Sequence, residues 1–400
     1  MKFRILTLLS VVMLALPLFS QQDNKAQFNP VYTGVTSLSI APDARAGALG
    51  DVGVATEPDV NSQYWNPAKY PFNIARAGVS MSYTPWLRQL VSDIDLVNLA
   101  GFYRIGDYSA VSASLTYFSL GQVFVENEMT IKPYEMAVDV AYSRMLSETF
   151  SAAISLRYIL SDLQYNYEED MSAGNAFAAD IALYYNKYLI MGGRECLLGL
   201  GLNASNIGTK ISYDGGATNQ FIPTNLRLGA SLLFPIDEYN TISVSADVNK
   251  LMVPTRPTYE QYIKEMENNP DYVPVEGSDH DGYHTWLEST GYNDISPITG
   301  IFKSFADAPG GFSEELKEIY AGVGVEYCYN QQFSVRGGYH YENEYKGNRK
   351  YFTLGAGFRM SVFSLDAAYL ISTAQSNPLD QTLRFSLSFD MDGLRDLFRR

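Results

Sequence analysis

The sequence predicts an all-β protein, a transmembrane antiparallel β-barrel of about fourteen strands. Three observations predict it. The chain begins with an apolar leader, and it continues in segments of about ten residues in which apolar and polar side chains alternate. Short connections between these segments alternate with connections that are mostly longer. A large secreted β-sandwich is the alternative, but a sandwich does not require this alternation of connections. After the leader no run of roughly 18 apolar residues occurs, so no transmembrane helix is expected.

The N-terminal residues have the composition of a secretory signal peptide. Lys2 and Arg4 precede an apolar run from residue 5 to residue 19, and Ser20 is a small residue before a plausible cleavage point at Gln21. Residues 1–20 are therefore predicted to direct export and to be removed. No cysteine lies near the cleavage point, so a lipid anchor is not expected.

The alternating segments begin at residue 76. In the clearest of them, 149–161, Phe150 and Ile154 belong to one face, whereas Ser151 and Arg157 belong to the other. A membrane barrel needs this period of two, because one face meets lipid and the other meets the lumen. Fourteen strands are predicted, at 76–84, 93–105, 108–120, 134–146, 149–161, 175–187, 194–205, 224–234, 241–250, 318–329, 332–342, 349–360, 362–373 and 382–391. The barrel thus occupies 76–391, between a region at 21–75 that alternates little and a periplasmic tail at 392–400.

The connections predict the orientation of the barrel. Six are short, such as Gly106-Asp107 and Asn330-Gln331, and they alternate with seven others, the longest at 251–317. Outer-membrane barrels have short periplasmic turns and longer extracellular loops. With both termini in the periplasm, the longer loops are expected outside the cell.

Charge and residue inventory exclude several function classes. The net charge of −15 argues against nucleic-acid binding, and two cysteines are too few for a disulfide framework. The run 278–282, with His284 nearby, lacks the full calcium-loop pattern and is interpreted as a solvated acidic turn, so neither a metal site nor a cofactor is predicted. His340 is the only histidine in a predicted strand, and no serine can be paired with it from the sequence, so no catalytic residues are predicted and the chain is not expected to be an enzyme.

Charged residues and glycines on the strands predict what fills the lumen. The inward-phase charges are Asp139, Arg157, Asp180, Arg227, Asp247, Glu326, Arg336, Asp366 and Arg384. They are expected to pair across the lumen and to lock a plug; a selective ion path is the alternative. Glycines recur on the strands, at 199, 201, 322, 324, 337, 338, 355 and 357. They fit either close approach by a plug or ordinary barrel curvature.

The run from Asp43 to Ala68 carries a family resemblance. Its small-residue turns followed by Trp65, Asn66, Pro67 and Ala68 resemble the N-terminal signature of the FadL-type outer-membrane family. The resemblance implies a FadL-like barrel in which residues 21–75 form a hatch or plug, with Trp65 to Ala68 as its motif. The hatch either seals the barrel or opens a path for a ligand.

Within the FadL-type family, the runs 32–38, 40–45 and 61–68 resemble the PorV family of the type IX secretion system of Bacteroidetes. That resemblance implies a non-enzymatic outer-membrane protein that docks on the large translocon barrel. It implies binding of secreted cargo through a C-terminal signal domain. It also implies delivery of cargo to a sortase-like attachment complex, where cargo is joined to lipopolysaccharide. The alternative is a FadL-type transporter of long-chain hydrophobic small molecules.

The loop 251–317 is the second candidate site. It is far longer than closure requires and carries the aromatic residues Tyr259, Tyr262, Tyr272, Tyr283, Trp286, Tyr292, Phe302 and Phe305. Such residues suit an ordered partner-docking surface, whereas a lid packed on the barrel mouth is the alternative. Short helices are predicted at 261–267 and 313–320, the second capped by Ser313.

Overall fold

Fourteen strands close into one antiparallel barrel in the computed structural model, as the sequence predicts. The structure describes residues 28–88, 91, 93–125, 129–164, 171–216, 219–268, 280–373 and 379–393. Each barrel strand pairs with its neighbour along the chain, and the first strand pairs with the last. The predicted signal peptide at 1–20 and most of the tail at 392–400 lie outside the described residues.

The strands match the alternating segments closely. They are β1 Ala77–Pro85, β2 Ile94–Ile105, β3 Ser109–Leu120, β4 Val123–Val125, β5 Met129–Ile131, β6 Tyr134–Ser147, β7 Phe150–Asp162, β8 Gly174–Met191, β9 Arg194–Gly208, β10 Asn225–Pro235, β11 Asn240–Leu251, β12 Ile319–Tyr329, β13 Phe333–Tyr341, β14 Lys350–Arg359, β15 Phe363–Ser372 and β16 Leu383–Asp390. The short strands β4 and β5 form a separate hairpin that was not predicted, and β8 extends beyond the predicted end at residue 187.

The alternation has the polarity of a membrane barrel. On β7, Ser151, Ser155 and Arg157 are buried inside, whereas Ile154 and Leu156 face outward and are each 62% exposed. Apolar side chains can be exposed in this way because the outer wall meets lipid rather than water.

Exposed aromatic residues lie near both ends of the barrel wall. Those near the short turns include Tyr103, Tyr142, Tyr188, Tyr329 and Phe333. Those near the longer loops include Tyr117, Tyr158, Phe177, Tyr341 and Phe352. Two such bands are expected at the two membrane interfaces, where aromatic rings are enriched.

Residues 28–75, which we call the luminal segment, thread the barrel from one end to the other. Asn29 N donates to the Tyr345 carbonyl (2.8 Å), in a longer loop, whereas the Asn73 carbonyl accepts from Arg104 (2.6 Å) beside a short turn. The expectation that the N-terminal part begins on the periplasmic side is therefore wrong for the first described residues, which lie at the long-loop end. The luminal segment must end at the short turns because β1 begins there.

The helices are short. In the luminal segment they are α1 Ala44–Gly47, α2 Ser62–Trp65 and the 3-10 helices Thr36–Ser39 and Pro67–Phe72. In the long loop they are α3 Tyr259–Glu267, α4 His280–Ser289, α5 Pro297–Lys303 and α6 Phe312–Lys317, with a 3-10 turn at Tyr292–Asp294. None of the helices in the described ranges is long and apolar enough to cross a membrane.

One predicted cap in the long loop is wrong. Helix α3 has a capping box in which Thr258 accepts from Gln261 N, near the predicted start. Helix α6, however, begins one residue before Ser313, and its N-cap is Gly311, which has a positive φ of 67° and offers no side chain. Tyr320, the predicted end of that helix, belongs to β12 instead.

Candidate functional site

Asp43 organises the first part of the luminal segment. Its carboxylate caps α1 by accepting from Ala46 N (2.9 Å) and also accepts from the indole Nε1 of Trp65 (2.6 Å). Trp65 is buried, and its carbonyl accepts from Asn203 of β9 (2.8 Å). One carboxylate thus ties α1 to the end of α2, and α2 to the barrel wall.

The Asn-Pro-Ala motif fastens the luminal segment to the wall. Asn66 is fully buried; its amide donates to the carbonyls of Val54 (3.0 Å) and Leu183 (2.9 Å), and its Oδ1 accepts from Ala68 N (3.0 Å). Pro67 occupies the first position of the 3-10 helix, where its missing N–H costs nothing. The Ala68 carbonyl accepts from Ser151 of β7. The motif therefore joins the segment to β7 and β8.

An ion-pair network links the luminal segment to three strands. Arg45 lies between Asp59 (2.9 Å) of its own segment and Glu326 (3.1 Å) of β12. Glu326 also pairs with Arg336 of β13, which pairs with Asp366 of β15 (2.6 Å). Removing one member of such a buried network leaves an uncompensated charge, so the network favours one position of the segment.

A second set of polar contacts lies on the other side of the lumen. Arg157 pairs with Asp139 (3.3 Å) and Asp180 (3.0 Å), and Asp139 accepts from Gln63 of the luminal segment (2.6 Å). The inward charges pair with one another as predicted, but they do so between neighbouring or next-nearest strands of the wall rather than across the lumen.

The remaining inward charges bind the luminal segment directly. Asp247 accepts from Gly53 N (2.7 Å) and Val54 N (3.0 Å). Arg227 donates to the Tyr64 carbonyl and hydroxyl (3.0 Å each). Arg384 pairs with Asp51 (2.5 Å).

The sequence analysis did not single out the charges of the luminal segment itself. These are Arg45, Asp51, Asp59 and Lys69, and the signal that could have found them is the presence of charges in a run otherwise rich in small residues. Lys69 is buried and donates to the Gly53 carbonyl (2.7 Å).

Strand glycines give the luminal segment room. A Cβ at Gly338, Gly324 or Gly322 would overlap the backbone of residues 49–50, and one at Gly201 would overlap Val54. Gly337 instead faces outward, where a Cβ would lie 3.8 Å from its nearest neighbours. Close approach by the luminal segment, rather than ordinary barrel curvature, therefore explains most of the strand glycines.

Free space beside the described part of the luminal segment is small between the strands and larger at the long-loop end, where a pocket of about 380 Å³ is lined by residues 33–36, Glu135 and Tyr213. Two cavities beside the luminal segment, one near Arg45 and one near Asp139, measure about 10 Å³ each. Such a volume holds about one water molecule. The pairing of β2 with β3 and of β3 with β6 continues without a register shift, so that part of the wall has no lateral opening.

Four aromatic residues of the long loop pack on one another. Tyr262 contacts Tyr259, Tyr283 and Trp286 with ring centroids 5.6 to 6.0 Å apart, and it is buried. Tyr292 is buried against Phe221 of the neighbouring loop. Tyr272 lies outside the described residues. These rings hold α3 and α4 together.

Phe302 and Phe305 are placed differently, in water-exposed positions. Five large apolar residues on α5, on α6 and in the connection between these helices face solvent, and we call them the exposed apolar set. They are Ile298, Phe302, Phe305, Phe312 and Leu316. Ile298 and Phe302 are four residues apart on α5, and so are Phe312 and Leu316 on α6, so each pair lies on one helix face. Phe302 is 74% exposed and Phe312 is 76% exposed.

Buried charges fix α6 on the barrel mouth. Lys250, at the end of β11, donates to Glu315 (3.0 Å) and Glu318 (2.6 Å), and Lys346 donates to Glu314 (2.6 Å) and Glu318 (3.0 Å). Burial alone would raise the pKa of Glu314, but hydrogen bonds from Lys346 and a backbone N–H outweigh it, so its pKa is lowered. The exposed side of α6 is thereby held outward.

The contacts of His340 are to the luminal segment and to the barrel wall. His340 contacts the Gly50 carbonyl (3.3 Å) and stacks on Tyr351 (4.7 Å between centroids). Within the described ranges no group of three or more His, Cys, Asp or Glu residues could hold a metal ion. Of the predicted acidic turn, residues 278 and 279 lie outside those ranges.

Comparison with solved structures finds outer-membrane channels. The toluene transporter TodX of Pseudomonas putida is 10% identical, with a TM-score of 0.48 over 91% of this chain and 99% of that chain. The toluene transporter TbuX of Ralstonia pickettii is 12% identical, with a TM-score of 0.44 over 92% and 98%. A FadL homologue of Pseudomonas aeruginosa is 12% identical, with a TM-score of 0.44 over 90% and 99%.

The family assignment comes from the sequence. No curated protein matches the chain. The sequence model of the family described as "Type IX secretion system protein PorV" matches residues 20–258, more than half of the chain and a range that includes the whole luminal segment. This barrel therefore belongs to the PorV family of the type IX secretion system, which places it in the outer membrane.

Proposed function

We propose that this protein is a non-enzymatic docking subunit of the type IX system. It binds the translocon barrel, receives cargo that carries a C-terminal signal domain, and delivers the cargo to the sortase-like complex that attaches it to lipopolysaccharide. The observation that carries the proposal is the combination of a filled lumen with the exposed apolar set above it.

The exposed apolar set supports protein docking. Three phenylalanines and two aliphatic residues exposed to water within residues 298–316 are unfavourable for an isolated protein, whereas they are the side chains that anchor interfaces. The buried ion pairs of α6 support the same function, because a preorganised surface loses less conformational entropy on binding.

The same geometry gives less support to a transporter of hydrophobic small molecules. Such a protein needs an apolar path from an outer loop to an opening in the wall. Between the strands, the described luminal side is instead lined by charges and hydrogen bonds, and the cavities near Arg45 and Asp139 are each far smaller than an acyl chain. The sealing role of the hatch is thus the better supported one.

The test replaces the two most exposed members of the set. The double variant Phe302→Ser, Phe312→Ser should fold, because both side chains face solvent, and should lose most co-purification with the translocon barrel and with a cargo signal domain. Phe124→Ser, which alters an 80% exposed phenylalanine in the β4–β5 hairpin, is the matched control. Heat-modifiable gel mobility reports barrel folding. Unchanged co-purification of the folded double variant would refute docking through this set.

A further inference from the structure

A pocket of about 320 Å³ opens at the long-loop end of the barrel. Three separate parts of the chain line it: the start of the luminal segment, the loop before β10 and the long loop. The lining residues on which its chemistry depends are Phe221, Arg256, Leu287, Tyr292 and the amides Asn219 and Asn293. A cavity of this size is at the lower end of ligand pockets.

Arg256 is the cation of the pocket. Its guanidinium carbon lies 5.7 Å from the ring centroid of Tyr32 and 5.7 Å from that of Tyr283. No carboxylate in the described ranges forms an ion pair with it, whereas the arginines of the lumen are paired with Asp or Glu or bonded to Tyr64. Arg256 also hydrogen-bonds to Tyr283. In a chain with a net charge of −15, a half-buried guanidinium that has no carboxylate partner among the described residues is available to an outside anion.

The walls around Arg256 combine apolar and polar surfaces. Phe221, Leu287 and Tyr292 are buried and form an apolar side. Lys210, which does not line the pocket itself, lies 4.2 Å from the Phe221 ring centroid and donates to the Asn293 carbonyl (2.8 Å). Asn219, Gln220 and Asn293 present amides, and the exposed carboxylate of Glu288 lies on the rim. Amides and one carboxylate can pair with the N–H and C=O groups of a peptide backbone, which a hydrocarbon tail lacks.

We propose that this pocket binds a carboxylate carried by an apolar peptide segment, with Arg256 as its receptor. Resting on the proposed function, the inference identifies the ligand as the C-terminal carboxylate or an acidic side chain of the cargo signal domain. A fatty acid has the same carboxylate chemistry, but its tail would meet the amides of the pocket. The long-loop end is also where cargo is expected to be received.

The experiment measures the Kd of the full-length protein in detergent for three probes. They are a purified cargo signal domain, the same domain with an amidated C-terminus, and sodium oleate. Arg256→Gln should weaken binding of the cargo domain about 10- to 100-fold, the range for a lost hydrogen bond to a charged group. Arg256→Lys keeps the charge but loses the planar fork, so it should weaken binding less. Lys264→Gln removes one charge from an exposed site on the same loop and should change nothing.

Each outcome separates this inference from the proposed function. If amidation weakens binding as much as Arg256→Gln does, the ligand is the C-terminus; if Arg256→Gln alone weakens it, the ligand is an acidic side chain. Equal binding by wild type and Arg256→Gln would overturn the pocket while leaving the docking function intact. No binding of the cargo domain by wild type would overturn the proposed function itself. If Arg256→Gln weakens the binding of oleate but not the binding of the cargo domain, the proposal of a peptide ligand is overturned.

Discussion

Gly338→Ala is expected to displace the luminal segment, whereas Gly337→Ala, one residue away, is not. The new Cβ at Gly338 would overlap Gly50 and Leu49, and backbone atoms cannot rotate away as a side chain can. Overpacking of this kind costs about 1–3 kcal/mol. The shift would also break the hydrogen bonds that join Gly50 N and the Ala48 carbonyl to Thr353 Oγ1 (2.9 Å each), at about 1–3 kcal/mol for each buried group left unpaired.

The total, roughly 3–9 kcal/mol, should raise the population of barrels with a displaced segment by about 10²- to 10⁶-fold. Hydrogen exchange of residues 43–55 and conductance in planar lipid bilayers are the two assays. We expect faster exchange and open-channel events for Gly338→Ala but wild-type behaviour for Gly337→Ala. Equal exchange and conductance in the two folded variants would refute the close packing of the segment against β13.

Two further changes test the motif and the loop. Asn66→Ala removes three buried hydrogen bonds and should speed exchange throughout the luminal segment, whereas Asn268→Ala, at an exposed position, should not. Lys346→Met removes the ammonium partner of Glu314 and Glu318, so α6 should lose roughly 3–5 kcal/mol of protection, measured by exchange of residues 312–318. Unchanged protection in either variant would count against the contact concerned.

The same ion pair predicts a pH dependence. Because the pKa of Glu314 is lowered in the folded loop, its pair with Lys346 stabilises the loop at neutral pH. That contribution is lost as the pH falls through the lowered pKa. Limited proteolysis of the loop should therefore increase at acidic pH in the wild type and should depend less on pH in Lys346→Met. Equal pH dependence in the two proteins would contradict this assignment.

The strands could be predicted from the sequence because a barrel wall between lipid and a polar lumen imposes a period of two on every segment. The predicted end of β8 at residue 187 was too early. Tyr188 to Met191 still pair with β9, but they do not continue the alternating pattern. The inward charges were found by the same phase. Their partners Arg45 and Asp51 were not, because contacts separated by hundreds of residues leave no local pattern.

The long loop was predicted less well. Its aromatic residues could be found in the sequence, but their division into packed rings and exposed phenylalanines depends on helices α4 and α5, which are too short to show a clear apolar period. Arg256 was not recognised either. Its environment is built from Tyr32, Phe221 and Tyr283, which come from three distant parts of the chain.

The most direct test of the central claim, a sealed barrel that docks proteins for secretion, is quantitative proteomics after deletion of the gene in its native host. Cell surface, periplasm and culture medium are measured separately. We predict that proteins with the C-terminal signal domain leave the surface and accumulate in the periplasm or appear unattached in the medium. Normal export and attachment of those proteins would contradict the claim and would favour uptake of hydrophobic compounds.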